Sequence, residues 1–119
     1  MRRRALCATL VAGLTLAAAA PALAHVELTG TSPKSGAAVA HLPNPIRITF
    51  GEPLLRIVGV SVARSGASQT VRARINPKNA RQILVNMRGD RPGRYRVAWT
   101  IVAPDGDRQV GAIAFRVRR

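Results

Sequence analysis

Seven short runs in this chain alternate apolar and polar residues with a period of two, at 26–29, 46–50, 58–62, 71–75, 83–87, 95–101 and 113–117. A period of two sends successive side chains to opposite faces of a strand, so each run predicts a half-buried β-strand. Between the runs lie turn formers, among them Ser32-Pro33-Lys34-Ser35-Gly36, Pro43-Asn44-Pro45, Ser65-Gly66, Asn76-Pro77-Lys78-Asn79 and Pro104-Asp105-Gly106-Asp107. Seven short strands, each with one apolar face, predict an all-β fold: two antiparallel sheets packed face to face, in the size range of immunoglobulin-like domains. No stretch is left for a long helix. The segment 36–41 has room for a single helical turn.

The N-terminus sets the mature boundaries. Arg2, Arg3 and Arg4 form a charged region, residues 5–20 an apolar one, and Ala22-Leu23-Ala24 a small-x-small cleavage site. That order is the pattern of an export signal. Residues 1–24 are therefore expected to be removed and residues 25–119 to form one domain that begins at His25; the alternative is an uncleaved membrane anchor. Cys7, the sole cysteine, lies inside the signal, so the mature domain has no thiol for a disulfide or a thiolate metal site.

Charge is the next constraint. Removing Arg2, Arg3 and Arg4 from nineteen basic residues leaves sixteen, against five acids. Arg47, Arg72, Arg74, Arg94, Arg96, Arg116 and Arg118 occupy the polar phase of their runs and read as a solvated outer face. Export removes the usual nucleic-acid partner, and no aromatic residues interleave with these arginines, so no specific nucleic-acid binding is expected. Weak adhesion to anionic envelope surfaces fits the same charge.

Catalytic constellations are scarce. The chain has two histidines and five acids, and lacks both a Gly-rich phosphate loop and a Gly-x-Ser-x-Gly elbow, so it reads as a non-enzyme. His25 carries more information. Cleavage before it would create an α-amine that, with the imidazole Nδ1 of the same residue, can close a six-membered chelate on a metal ion. Two such nitrogens suit Cu(II) or Ni(II). The alternative is a frayed, solvated terminal histidine.

Four blocks of sequence then resemble the CopC family of periplasmic copper-resistance proteins. After His25 come Ser32-Pro33-x-x-Gly36, then Leu42-Pro43 and Ile46-Arg47-Ile48-Thr49-Phe50-Gly51-Glu52-Pro53-Leu54, similar to the family's P-x-x-G and L-x-F-S-E-P stretches. Gly93-Arg94-Tyr95-Arg96-Val97-Ala98-Trp99 resembles its G-x-Y-x-V-x-W strand. Asp105-Gly106-Asp107 ahead of Gly111-Ala112-Ile113-Ala114-Phe115 resembles D-G-H followed by G-x-F-x-F. The resemblance implies a seven-stranded Greek-key sandwich and a periplasmic Cu(II) site made from the N-terminal His25, from Asp105 and from the third loop position. That position is Asp107 here, where the family has His, which exchanges a nitrogen donor for oxygen.

Cu(II) could still take two nitrogens from His25 and one oxygen each from Asp105 and Asp107. An ordinary Asp-Gly turn, its side chains capping the backbone, is the other reading of that loop. Met87 lies in the apolar phase of its run and reads as core, which leaves no thioether site for Cu(I). His41 reads as a surface histidine, with an auxiliary ligand as its alternative. Glu52 reads as structural, and Tyr95, Val97, Trp99 and Ile101 as core. The resemblance implies a copper carrier that sequesters or delivers Cu(II), with a CopD-like membrane copper permease as its partner. The alternative is a degenerate structural or protein-interaction module that no longer binds copper.

Overall fold

The computed structural model describes residues 12–13 and 26–119. Apart from that pair, the segment read as an export signal lies outside the described residues, and so does His25. Nine strands follow along the described chain: β1 (Leu28–Ser32), β2 (Ala38–Val39), β3 (Ile46–Phe50), β4 (Arg56–Arg64), β5 (Ala67–Gln69), β6 (Val71–Asn76), β7 (Asn79–Met87), β8 (Gly93–Val102) and β9 (Arg108–Val117). They form a four-stranded sheet in the order β1-β3-β7-β6 and a five-stranded sheet in the order β2-β9-β8-β4-β5. This is the all-β sandwich expected from the alternation.

Each of the seven alternating runs overlaps one strand, and β2 and β5 are additional. The segment 36–41 does not make a helical turn. Its residues instead pair in parallel with β9, through bonds from Gly36 N to Ala114 O, from Arg116 N to Ala37 O and from Arg118 N to Val39 O. Two residues are too few to show a period, so only the neighbouring strand reveals this one. β5 is too short to show a period for a similar reason: the chain doubles back at Ser65-Gly66 for three residues along β4 before crossing to the other sheet.

The inward phase survives folding in the central strands. Ile46, Ile48 and Phe50 of β3, Ile83, Val85 and Met87 of β7, Tyr95, Val97, Trp99 and Ile101 of β8, and Ile113, Phe115 and Val117 of β9 are all buried. Within this core the Phe50 and Trp99 rings meet edge to face with centroids 6.1 Å apart. Tyr95 stacks on Phe115 at 5.3 Å, and its hydroxyl donates to Arg91 O. The outward phase is equally consistent, since the seven arginines assigned to it are all exposed. Leu84 is one exception, buried on the outer face between its cross-strand neighbours Arg47 and Arg74. Arginine stems can cover apolar surface while their guanidiniums stay in water, which accounts for it.

Irregular pairing explains where simple alternation fails. Ile57 pairs with Ile101, but Gly59 rather than Val58 pairs with Thr100. The extra residue shifts the phase, so Ile57 packs on the core while Val58, which the sequence groups with Val60 and Val62, is 42% exposed. A second irregularity, between Leu28 and Gly30, accompanies the exposure of Leu28 on an edge strand.

The registers define two ends of the sandwich. Arg56, Val102 and Arg108 meet at one end, where Leu28 also pairs with Phe50. At the other end, the turn between β7 and β8 is held by a single carboxylate. Asp90 accepts from Leu42 N through Oδ1, while its Oδ2 lies 2.7 Å from His41 Nδ1 and 3.4 Å from Arg119 Nη2. These contacts join the β2–β3 loop, the β7–β8 turn and the last residue. The hydrogen bond from Leu42, then that from His41, holds the Asp90 carboxyl below its ordinary value of 3.8.

Two predictions follow from the packing. A Cβ at position 111 would lie 2.5 Å from Trp99 Cζ2. The indole is buried and cannot swing away, so Gly111→Ala should cost about 1–3 kcal/mol by overpacking, seen as a lower melting temperature. For Asp90, the depressed folded value means that its contribution is complete at neutral pH and is lost as pH falls through that value. Asp90→Asn should therefore lower the melting temperature at pH 7 and converge with the parent in thermal scans well below pH 3.8. A gap independent of pH would show that the charge of Asp90 is irrelevant.

Candidate metal site at the β8–β9 turn

The long β8–β9 ladder runs from Gly93 against Val117 to Val102 against Arg108 and closes with the loop Ala103-Pro104-Asp105-Gly106-Asp107. Ala103 binds the loop from both sides: its N–H donates to Asp107 O at 2.8 Å, and its carbonyl accepts from Gly106 N at 2.9 Å. Gly106 has φ +89°, a conformation that L side chains rarely adopt, so this position requires glycine. Asp105 Oδ1 accepts from Asp107 N at 3.0 Å. The capped Asp-Gly turn read from the sequence is thus present, and it fixes the Asp105 side chain. Among the described residues nothing donates to Asp105 Oδ2 or to the Asp107 carboxylate, and both side chains are exposed.

The start of the described chain comes to the same loop. Val26 is buried in the core, and its N–H donates to Gln109 Oε1 at 3.1 Å. Gln109 lies two residues past Asp107 and pairs with Ile101, in the inward phase it shares with Ile113 and Phe115. A polar residue in an otherwise apolar phase, at the open end of a strand, was the available signal for this anchor.

Topology gathers further acids at this end. Glu27 precedes β1 and accepts from Gly51 N through its carbonyl, and Glu52 follows Gly51 on the β3–β4 link. Four of the chain's five acids therefore lie here, alongside Arg56, Lys78, Arg81 and Arg108. This end is close to neutral in a strongly basic molecule, which lowers the electrostatic barrier to a cation. Glu52, read as structural, is exposed.

The structure brings Asp105 and Asp107 together on one loop. Among the described residues no three His, Cys, Asp or Glu side chains form a metal-binding group, and His25, the remaining member of the expected set, lies outside them. His41 is exposed at the opposite end of the sandwich, paired with Asp90, so the fold separates it from the Asp105–Asp107 loop. Met87 is buried, in keeping with a core role.

Comparison with known proteins agrees with this architecture. Protein YobA of Escherichia coli K12 is 30% identical over 105 residues, covering 80% of this chain and 80% of its own length. Copper resistance protein C of Escherichia coli is 31% identical over 121 residues, covering 93% of this chain and 95% of that protein. Among solved structures, PcoC, a methionine-rich copper resistance protein from Escherichia coli, superposes with a TM-score of 0.69 at 26% identity, covering 80% of this chain and all of that one. CopC from Methylosinus trichosporium OB3b superposes with a TM-score of 0.70 at 23% identity, over 78% of this chain and 93% of its own, and speaks for the fold alone. The CopC domain matches residues 28–118, from the first residue of β1 to just past β9, and the chain belongs to the CopC family.

Proposed function

We propose that this chain is a periplasmic copper carrier that, once residues 1–24 are removed, binds Cu(II) through His25, Asp105 and Asp107. The observation that carries the reading is the bond from Val26 N to Gln109 Oε1, which ties the residue next to His25 to the strand that follows the Asp105–Asp107 loop. That bond supports the reading, because the chelate the proposal assigns to His25 is one peptide bond from Val26.

The ligand set is two nitrogens and two oxygens. The His25 α-amine and Nδ1 supply the chelate; Asp105 contributes Oδ2, its Oδ1 being engaged by Asp107 N, and Asp107 contributes a carboxylate oxygen. Oxygen donors favour Cu(II) over the softer Cu(I). The relatives named copper resistance proteins support the cargo, although PcoC is methionine-rich whereas this chain has only Met1 and the buried Met87. The protein would sequester Cu(II) or pass it to a CopD-like membrane permease.

One observation favours a second reading, a CopC-like structural or interaction module without copper. The Asp105–Asp107 turn is already satisfied by its own hydrogen bonds and needs no ion to hold its shape.

Copper titration separates the two. Protein beginning at His25 should bind one Cu(II), and a version with one extra residue ahead of His25 should bind about tenfold or more weakly, because its α-amine is consumed in a peptide bond. Equal affinities would remove the chelate; no uptake by folded protein beginning at His25 would select the module reading. Replacing Asp107→His should tighten Cu(II) binding and add a nitrogen coupling to the electron paramagnetic resonance spectrum. An unchanged spectrum and affinity would take Asp107 out of the coordination sphere.

A further inference from the structure

The end of the sandwich opposite the Asp105–Asp107 loop has the reverse charge character. A groove of about 790 Å³ opens there between the β5–β6 link and the β7–β8 turn, lined by Arg72, Arg88 and Arg91 together with Asn44, Thr70 and Asn86. A second recess of about 680 Å³ shares Val71, Arg72 and Asn86 with it and adds Arg74. No carboxylate lines either one. Asp90 sits in the same turn, between Arg88 and Arg91 in sequence, but its oxygens are turned to Leu42 N, His41 and Arg119. Among the described residues, Arg72, Arg74, Arg88 and Arg91 form no ion pair.

Guanidiniums repel one another, and several around one concavity without a counter-charge raise its affinity for anions. Each presents a planar fork of donors that matches phosphate oxygens. The groove also falls within the roughly 300–1,000 Å³ of small-ligand sites, and the amides of Asn44 and Asn86 and the Thr70 hydroxyl offer neutral polar contacts. A single carboxylate would offset one of these charges; a ligand with several phosphates offsets them together. Tyr95, the one aromatic residue at the groove, is buried and stacked on Phe115, so it offers no platform for a nucleic-acid base.

We propose that this groove is an anion site for a ligand carrying two or more phosphate groups, held by Arg72, Arg88 and Arg91 with Arg74 beside them. The site is independent of the copper reading and lies at the other end of the molecule.

Inorganic tripolyphosphate, titrated calorimetrically into the protein, and vesicles of cardiolipin, whose headgroup carries two phosphates, in phosphatidylcholine, used in co-sedimentation, distinguish a free oligophosphate from a lipid headgroup. The triple variant Arg72→Gln, Arg88→Gln, Arg91→Gln should bind the productive probe about tenfold or more weakly. A control with the same loss of charge, Arg56→Gln, Arg94→Gln, Arg116→Gln, should stay within about threefold of the parent, since these side chains do not line the groove. All six arginines are exposed or at strand and loop surfaces, and unchanged melting curves would show that both variants fold. Equal weakening in the two triples would mean that the overall charge attracts the anion, and would overturn the site. So would failure of both probes to bind the parent, or an oligonucleotide that outcompetes tripolyphosphate through the same arginines.

Discussion

The β8–β9 ladder is the constraint on which the rest of this molecule depends. Its unbroken register from Gly93–Val117 to Val102–Arg108 carries most of the aromatic core on one face. Trp99 can lie flat against its partner strand only because position 111 has no side chain. The same ladder determines what appears at each end. It delivers the Asp105–Asp107 loop where the N-terminal segment is anchored by Gln109, and it places Asp90 where the β2–β3 loop and the C-terminus converge. A slip of one residue would send Tyr95, Val97, Trp99 and Ile101 into water, so burial of this strand pins the geometry of both ends.

Antiparallel topology also sorts charge along the sandwich. Acids that are far apart in sequence, at 27, 52, 105 and 107, come to one end because β1 starts, β3 finishes and β8 turns there. At the other end the single carboxylate, Asp90, is committed to loop closure and leaves the arginines of the groove uncompensated. A chain with a formal charge of +14 thus has one end close to neutral and another where arginines predominate. The two need not interfere, because charges at opposite ends are screened from one another over about 8–10 Å in physiological salt.

Much of the fold was legible because the code for a half-buried strand is local. Ile46, Ile48 and Phe50, or Ile113, Phe115 and Val117, announce their inward face without any knowledge of the partner strand. The loop acids were legible for a related reason, since Asp105-Gly106-Asp107 combines turn-forming residues with potential ligands. The bulge that expels Val58 was not legible, nor was the covering of Leu84 by Arg47 and Arg74. Both depend on what lies across the sheet. Gln109, Glu27 and Glu52 looked unremarkable singly; their meaning comes from a shared location that no local pattern encodes.

Alternation and turn chemistry by themselves determined an all-β sandwich, its core phase and its solvated arginine faces, because side-chain direction in a strand repeats every two residues whatever the strand pairs with. Tertiary structure alone decided the pairing of Ala38–Val39 with β9, the engagement of His41 by Asp90 away from the Asp105–Asp107 loop, and the anchoring of Val26 beside that loop. Those are contacts between segments up to 83 residues apart, and which of them form depends on the order of strands in the two sheets.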